Sequence, residues 1–277
     1  MKYTKEDFFK LSDGMKIYYK IYGNGPVVVL NHGYGSSHKS LEYVARYLKE
    51  DFTCLLYDQR GCGNSDKFVP IDYSEALRKF CFEQLANDCH ELLIGLGFNK
   101  VFMYGHSMGG IISQLFILKY EKMLMKVALG STTPLGLNGE RTKLLEDIKS
   151  GKIIIDKNFF RKDANRGFTE EFINRNPQLL DELVDDKLKV PPIVLVALLE
   201  NFLYNFDIRL KLKSIRIPVL IFHGEKDETI PIKYGEYLHH LIQNSKLITI
   251  KNQKHEINKE VPKLIANYLK EFFLMSD

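Results

Sequence analysis

Apolar and polar positions along the chain change period repeatedly, and each change marks an element. Residues 14–22 read as an early strand, entered through the turn Ser12-Asp13-Gly14. After Gly23-Asn24-Gly25-Pro26 comes Val27-Val28-Val29-Leu30-Asn31, a continuous run of the kind buried on both faces in a parallel sheet. Residues 37–50 switch to helical period, with Leu41, Val44, Ala45 and Leu48 on one face. Phe52 to Tyr57 is a further strand, and residues 73–97 form a helix with a break. Val101 to Tyr104 is a short buried strand, Gly110 to Tyr120 an apolar helix, and Leu124 to Gly130 a fifth strand. This alternation predicts βαβ units and a parallel sheet.

The period then changes. From about 134 to 212 the pattern is helical, with charge clusters and no convincing buried strand; Ile153-Ile154-Ile155 is too short and isolated to be one. An inserted helical cap is expected over 134–212, leaving 1–133 and 213–277 as the core. The insertion is rich in aromatics (Phe159, Phe160, Phe168, Phe172, Phe202, Tyr204 and Phe206), expected mainly as its own packing rather than as a substrate box. Strand character resumes at Ile217–His223 and again at Leu247–Ile250. Helices follow at 231–242, with Pro231 in the first turn, and at 259–274. No internal repeat or low-complexity tract is present.

Chemistry concentrates where the fourth of these strands meets its helix. Gly105-His106-Ser107-Met108-Gly109 is a G-x-S-x-G sequence, and its setting between strand and helix is that of a nucleophile elbow. A serine in so sharp a turn has a strained backbone. Side chains two residues to either side would collide with the neighbouring strand and helix, so a small residue is needed at 105 and 109. The following helix directs its first N–H groups at the place where an oxyanion would form.

A serine hydroxyl needs a base, and a histidine base needs a carboxylate to fix its tautomer. On this kind of sheet the chain order is Ser, acid, His. His255 follows the last strand in a loop and is the expected base. His239 and His240 lie mid-helix as a solvated pair, His106 sits inside the elbow, and His223 ends a strand too early. Asp227, in Gly224-Glu225-Lys226-Asp227-Glu228, is the expected acid; Glu225 and Glu228 are its neighbours in the same loop. The position after the preceding strand reads Ser131-Thr132-Thr133 and offers no carboxylate. The two oxyanion donors are expected to be the backbone N–H groups of Met108 and Tyr34, with Gly33 leaving room for close approach.

Composition narrows the class without changing this picture. The 277 residues fit one α/β domain with an insertion, and 45% hydrophobic with 27% charged residues is ordinary for a globular enzyme. The net charge of +4 is spread along the chain, with no basic stripe interleaved with aromatics, so nucleic acid is not an expected partner. Cys54, Cys62, Cys81 and Cys89 show no CxxC pairing and suggest a reducing compartment. The charged start, Met1-Lys2-Tyr3-Thr4-Lys5, lacks a signal-peptide core, and no apolar run approaches a membrane span of about 18 residues. A cytoplasmic location with no membrane partner is the expectation. No HExxH or spaced Cys/His set suggests a metal, and the chemistry calls for no cofactor.

These pieces together resemble the α/β-hydrolase superfamily over nearly the whole chain. The matching segments are His32-Gly33-Tyr34-Gly35, Asp58-Gln59-Arg60-Gly61-Cys62-Gly63-Asn64-Ser65, Gly105 to Gly110, Asp227 and His255. The resemblance implies a mostly parallel eight-stranded sheet flanked by helices, with a helical cap inserted after the sixth strand. The Asp58 segment resembles the D-x-R-G-x-G-x-S turn of the capped members, which include esterases, C–C bond hydrolases, enol-lactonases, cofactor-free haloperoxidases and proline iminopeptidases; there it implies a scaffold role. The expected activity is hydrolysis of a small-molecule carboxylic ester through an acyl-enzyme. An aminopeptidase removing an N-terminal proline is the rival, with Glu200, Asp181 and Glu182 as cap carboxylates for the substrate amine. Haloalkane dehalogenases and epoxide hydrolases resemble this pattern too but carry Asp at the elbow, where this chain has Ser107. A non-catalytic binding module is the alternative from another class; such proteins often lose a triad member, and here all three positions are filled.

Overall fold

Alternate residues of each central strand face opposite helix layers. Val28 and Leu30, Cys54 and Leu56, Phe102 and Tyr104, Leu220 and Phe222 belong to one apolar cluster. Val29, Leu55, Met103, Val127, Leu129, Val219 and Ile221 belong to the other. Period two therefore appears in the structure as two dry faces, which explains why these strands read as unbroken apolar runs. The computed structural model describes residues 5–67, 72–137 and 139–275.

The strands are β1 (Lys5–Lys10), β2 (Lys16–Tyr22), β3 (Val27–Asn31), β4 (Thr53–Tyr57), β5 (Val101–His106), β6 (Leu124–Gly130), β7 (Val219–Gly224) and β8 (Ser245–Ile250). They form one eight-stranded sheet in the order β1-β2-β4-β3-β5-β6-β7-β8. β2 runs antiparallel to β1 and β4, and the remaining neighbours are parallel. The winding direction reverses at β3, between β4 and β5. In such sheets the crevice for a ligand opens at the carboxyl ends of the strands flanking that reversal.

On one face lie α1 (Lys39–Leu48) and the closing helix, which divides into α12 (Ile257–Glu260) and α13 (Pro262–Leu274). Pro262 opens α13, where its missing N–H costs nothing. The ring of Phe273 stacks on Phe102 at 4.7 Å between centroids. On the other face pack α3 (Phe82–Gly95), α4 (Met108–Tyr120) and α11 (Lys233–Leu241). The break expected within 73–97 separates α2 (Tyr73–Lys79) from α3. Asp72 caps α2 by accepting the Glu75 N–H at 2.7 Å.

Between β6 and β7 the chain forms α5 (Glu140–Lys149), α6 (Lys157–Gly167), α7 (Glu170–Arg175), α8 (Pro177–Lys187), α9 (Pro192–Tyr204) and α10 (Arg209–Leu212). The two passages of chain at the base of this insertion are clipped together. Leu135 bridges Asp207, the Gly136 N–H donates to Phe206 O at 2.8 Å, and the Ile208 N–H donates to Pro134 O at 3.0 Å. A Cβ on Gly136 would lie 2.3 Å from Phe202 O, so this crossing admits only glycine without a shift. Among the described residues no helix is long and apolar enough to cross a membrane.

β1 has no counterpart in the expected elements. It is an edge strand whose six residues, Lys-Glu-Asp-Phe-Phe-Lys, are almost all exposed. With neither face buried there is no alternation to read, and the charges suit an edge that must resist pairing with another chain.

The Asp58–Ser65 segment ties the end of β4 to the start of α1, to α3 and to the β1–β2 turn. The Asp58 carboxylate accepts the His38 N–H at 2.6 Å, His38 Nδ1–H at 2.8 Å and the Asn64 N–H at 2.7 Å. A Cβ on Gly63 (φ 48°) would sit 2.2 Å from that carboxylate. Arg60 is fully buried; its Nε and Nη2 donate to the two oxygens of Asp88 at 2.5 Å each, and Nη1 reaches Asp13 at 3.1 Å. Asp88→Ala leaves that guanidinium buried without its bidentate partner and is expected to cost about 3–5 kcal/mol. Asp13→Ala, at the solvent end, is expected to cost about 1 kcal/mol or less. Urea unfolding of both variants checks the contrast; equal losses would contradict it.

Candidate active site

Ser107 sits between β5 and α4 at φ 56° and ψ −120°, a backbone conformation that L residues rarely adopt. The surroundings hold it there. Its N–H donates to Gly130 O at 2.8 Å, and its carbonyl accepts Thr132 Oγ1–H at 2.8 Å and the Gly110 N–H at 2.9 Å. The glycines have the reason foreseen for them. A Cβ at Gly109 would lie 2.0 Å from Asn31 O, and one at Gly105 would lie 2.2 Å from Gly109 O. Gly110 is as tightly constrained, with Thr132 Cβ 2.6 Å from any added methyl.

His255 stands between β8 and α12, and its Nδ1–H donates to Asp227 Oδ2 at 2.8 Å. The other oxygen, Oδ1, accepts the N–H groups of Thr229 and Ile230, each at 2.8 Å. Burial alone would raise the Asp227 carboxyl. The charge and hydrogen bond of His255, with His223 and the Ile230 N–H, outweigh burial and hold it below its ordinary value of 3.8. Glu225 instead accepts the Asn252 N–H, and Glu228 pairs with Lys254 at 3.1 Å. Asp227 is therefore the loop carboxylate that meets the imidazole.

Three further histidines fix the frame. His106 Nε2–H donates to the His255 carbonyl at 2.9 Å, and burial followed by the His255 charge pushes its ring down to about 4, so it stays neutral. His223, fully buried, donates Nε2–H to Ile230 O at 2.7 Å and lies 3.5 Å from Asp227 Oδ2. His32 accepts the Gln59 N–H on Nε2 at 3.0 Å, which leaves Nδ1–H to donate to Gly33 O at 2.9 Å. His239 and His240 are exposed, as expected of a solvated pair.

Ser107, Met108, Tyr34 and His255 all line one cavity of about 150 Å³. Among the described residues the backbone N–H groups of Tyr34 and Met108 donate to no backbone acceptor. No hydrogen bond joins Ser107 to His255 among the described residues; the two meet as walls of this cavity. The Tyr34 hydroxyl donates to Leu195 O of α9 at 2.8 Å, which ties the loop after β3 to the insertion. On the opposite side, the Glu256 N–H donates to Gly167 O, at the end of α6, at 2.9 Å.

The insertion's part of the wall departs from the sequence reading. Phe159, Phe160, Phe168 and Phe202 line the cavity as well as packing within the insertion (Phe159 on Phe160, Phe168 on Phe172, Phe202 on Phe206), whereas Phe206 also packs edge-on to Phe82 and Tyr204 is exposed. A helix contributes both a packed flank and a cavity face, and composition does not separate the two. The carboxylates expected to receive an amine are elsewhere. Glu200 pairs with Lys149 and accepts the Tyr73 hydroxyl at 2.7 Å, Asp181 pairs with Arg161 at 2.6 Å, and Glu182 is exposed. The charged groups lining the cavity are Arg141, Asp163, Asp186, Lys187, Glu256 and Lys259, which sequence reading passed over because charges in amphipathic helices read as solvated. Among the described residues no group of three or more His, Cys, Asp or Glu could hold a metal ion.

A parallel sheet that reverses at β3, with a strained serine at the end of β5 and an aspartate–histidine pair beyond β7 and β8, defines a serine hydrolase of the α/β-hydrolase superfamily. The family model described as serine aminopeptidase, S33 matches residues 24–262, and the chain belongs to that family. It is 26% identical to a proline iminopeptidase of Saccharolobus solfataricus, over 96% of this chain and 92% of that one. It is 25% identical to a karrikin insensitive 2 receptor IA of Petunia hybrida, over 83% and 84%. Among solved structures, a bromoperoxidase from Bacillus anthracis superposes with a TM-score of 0.85 at 27% identity, over 97% of this chain and 99% of that one.

The depressed Asp227 carboxyl gives a pH dependence of known sign. Its charge contributes stability that is fully present above the ordinary carboxyl value and is lost as pH falls through the lower, folded value. In urea unfolding, the stability gap between wild type and Asp227→Asn is expected to be constant above about pH 5 and to shrink below about pH 4. A gap that widens on acidification would reverse the assignment.

Proposed function

We propose that the protein hydrolyses a carboxylic ester of small or medium acyl group through an acyl-enzyme. Ser107 Oγ attacks the ester carbonyl carbon as His255 Nε2 takes the hydroxyl proton. The resulting oxyanion lies against the Tyr34 and Met108 N–H groups, a type of contact worth about 3–4 kcal/mol in the transition state. His255 returns the proton to the leaving alcohol. Water, activated by the same imidazole, then releases the acid. Asp227 keeps the Nδ1–H tautomer and stabilises the imidazolium that forms at each step.

The observation that carries this reading is the 2.8 Å His255–Asp227 hydrogen bond beside the strained Ser107, with two unengaged N–H groups lining the same cavity. The family description and the proline iminopeptidase relative favour a second reading, an aminopeptidase. Such an enzyme needs a free carboxylate for the substrate amine, and the cavity carboxylates Asp163 and Glu256 each hold a lysine. The receptor relative favours a third, a ligand-binding module.

A fluorophosphonate is expected to label Ser107 in the folded wild type and to leave Ser107→Ala unlabelled. Turnover in that variant should fall by roughly 10⁴-fold or more with the fold retained. Absence of an adduct would favour the binding module. Between the two hydrolases, initial rates on aryl esters of rising acyl length, with a prolyl arylamide alongside, decide: the esters are expected to be faster, and a strong preference for the arylamide would reverse the ranking.

A further inference from the structure

The cavity holds three cations and three carboxylates, but they do not cancel. Lys187 Nζ lies 2.9 Å from Asp163, and Lys259 pairs with Glu256. Asp186 is met from outside the cavity, by Lys39 at 3.5 Å, Lys189 at 3.4 Å and the Ser37 hydroxyl. Arg141 is left over. Among the described residues no carboxylate lies within 4.0 Å of its guanidinium. Its one protein acceptor there is the Thr229 carbonyl, which takes Nη2–H at 2.6 Å. A guanidinium has five N–H donors in a rigid fork, so most of this one's capacity is unspent. The ring of Phe202 lies 5.7 Å below it, and Leu144 and Phe202 make the adjoining wall apolar.

Arg141 is half-buried, and partial burial, ahead of every nearby charge, lowers its basicity. A partly buried charge without a partner is costly, and the usual remedy is a counter-ion in the fold. Here every carboxylate in reach already has one. The location is equally specific. Thr229, which holds Arg141, is the residue whose N–H binds Asp227 Oδ1. An anion on Arg141 would therefore sit within the same chamber as Ser107 and His255.

We propose that Arg141 is the anchor for a carboxylate carried by the substrate, so that the preferred ester is one whose acyl part ends in a free carboxylate. This rests on the ester-hydrolase reading and adds the substrate class to it. A planar carboxylate matches the guanidinium fork with two charge-assisted hydrogen bonds. The aliphatic stretch between ester and carboxylate would lie along Leu144 and Phe202. The leftover positive charge also disfavours a substrate that presents an ammonium group.

The test compares 4-nitrophenyl adipate monoester with 4-nitrophenyl hexanoate, which share a six-carbon acyl chain and differ in the terminal charge. Wild type is expected to prefer the adipate in kcat/KM. In Arg141→Met the adipate-to-hexanoate ratio should fall about 10- to 100-fold, mainly through KM, and Arg141→Lys should recover part of it. Thermal unfolding of each variant identifies one that fails to fold, and the lysine variant then carries the comparison. An unchanged ratio would mean that Arg141 only braces the Thr229 loop and would overturn the proposal. Hexanoate turnover with no preference for adipate in wild type would overturn it too, while leaving the hydrolase reading intact. If neither ester is cleaved and the fluorophosphonate leaves Ser107 free, the hydrolase reading fails. Calorimetry with adipate itself then decides the Arg141 assignment: binding to wild type and loss in Arg141→Met upholds it, and equal binding or none overturns it.

Discussion

The conformation of Ser107 is the constraint on which the rest depends. At φ 56° and ψ −120° the serine turns the chain from β5 into α4 within one residue. That turn brings α4 against β3 so closely that an added Cβ on Gly109 would overlap Asn31 O at 2.0 Å. Backbone strain of this kind costs about 1–3 kcal/mol and persists only where neighbours over-determine it. They do so from two strands. Gly130 of β6 accepts the serine N–H, Thr132 beyond β6 donates to its carbonyl, and Asn31 of β3 bonds Ser113 of α4 at 2.8 Å. The helix that leaves the turn therefore begins at a fixed point, and its first N–H has no acceptor in the backbone.

Charge in the molecule's interior follows a second rule, that a buried ion is met by a fixed partner. Asp58 is surrounded by donors, Arg60 forks onto Asp88, and Asp227 takes two backbone N–H groups besides the imidazole. Glu256 follows the same rule. Burial would raise its carboxyl, and Lys259, His106, His255 and Lys187 together hold it well below the ordinary range. Against this background the Arg141 guanidinium, joined to one carbonyl, stands apart. The Asp227–His255 pair is met within the chain, and the Arg141 guanidinium on the chamber wall is not.

The machinery around Ser107 was legible because it is set by backbone geometry and short spacings. Gly105 and Gly109 flank the serine at two residues, the loops after β3 and β7 follow their strands directly, and chain order separates His255 from seven other histidines. The central strands were legible because both faces are buried. β1 was not, since it buries neither face. The chamber wall was not, for another reason. Arg141 on α5, Asp163 on α6, Asp186 on α8 and Phe202 on α9 converge from four helices, and nothing in the local pattern of any one helix says which of its faces turns inward. His106 shows both limits at once. Its place in the elbow was plain, but its bond to the His255 carbonyl joins residues 149 apart in the chain.

The two layers of the site are nevertheless mechanically joined. Tyr34 lines the cavity beside the serine, with a backbone N–H that meets no backbone acceptor among the described residues, and anchors its hydroxyl on Leu195 of α9. Glu256, next to the imidazole, donates its N–H to Gly167 at the end of α6. Tyr34 and Glu256, which line the cavity with Ser107 and His255, therefore each donate a hydrogen bond to a carbonyl of the insertion itself. A displacement of α6 or α9 would move the loop that carries His255 or the loop that carries Tyr34. The insertion and the loops after β3 and β8 are consequently not separable by simple exchange: a replacement must reproduce the carbonyls at 167 and 195 as well as the chamber wall. Errors of about 1 Å in such positions are large on the scale of catalytic alignment. The segment in which sequence patterning carries least information is thus also part of the scaffold that holds the most legible one.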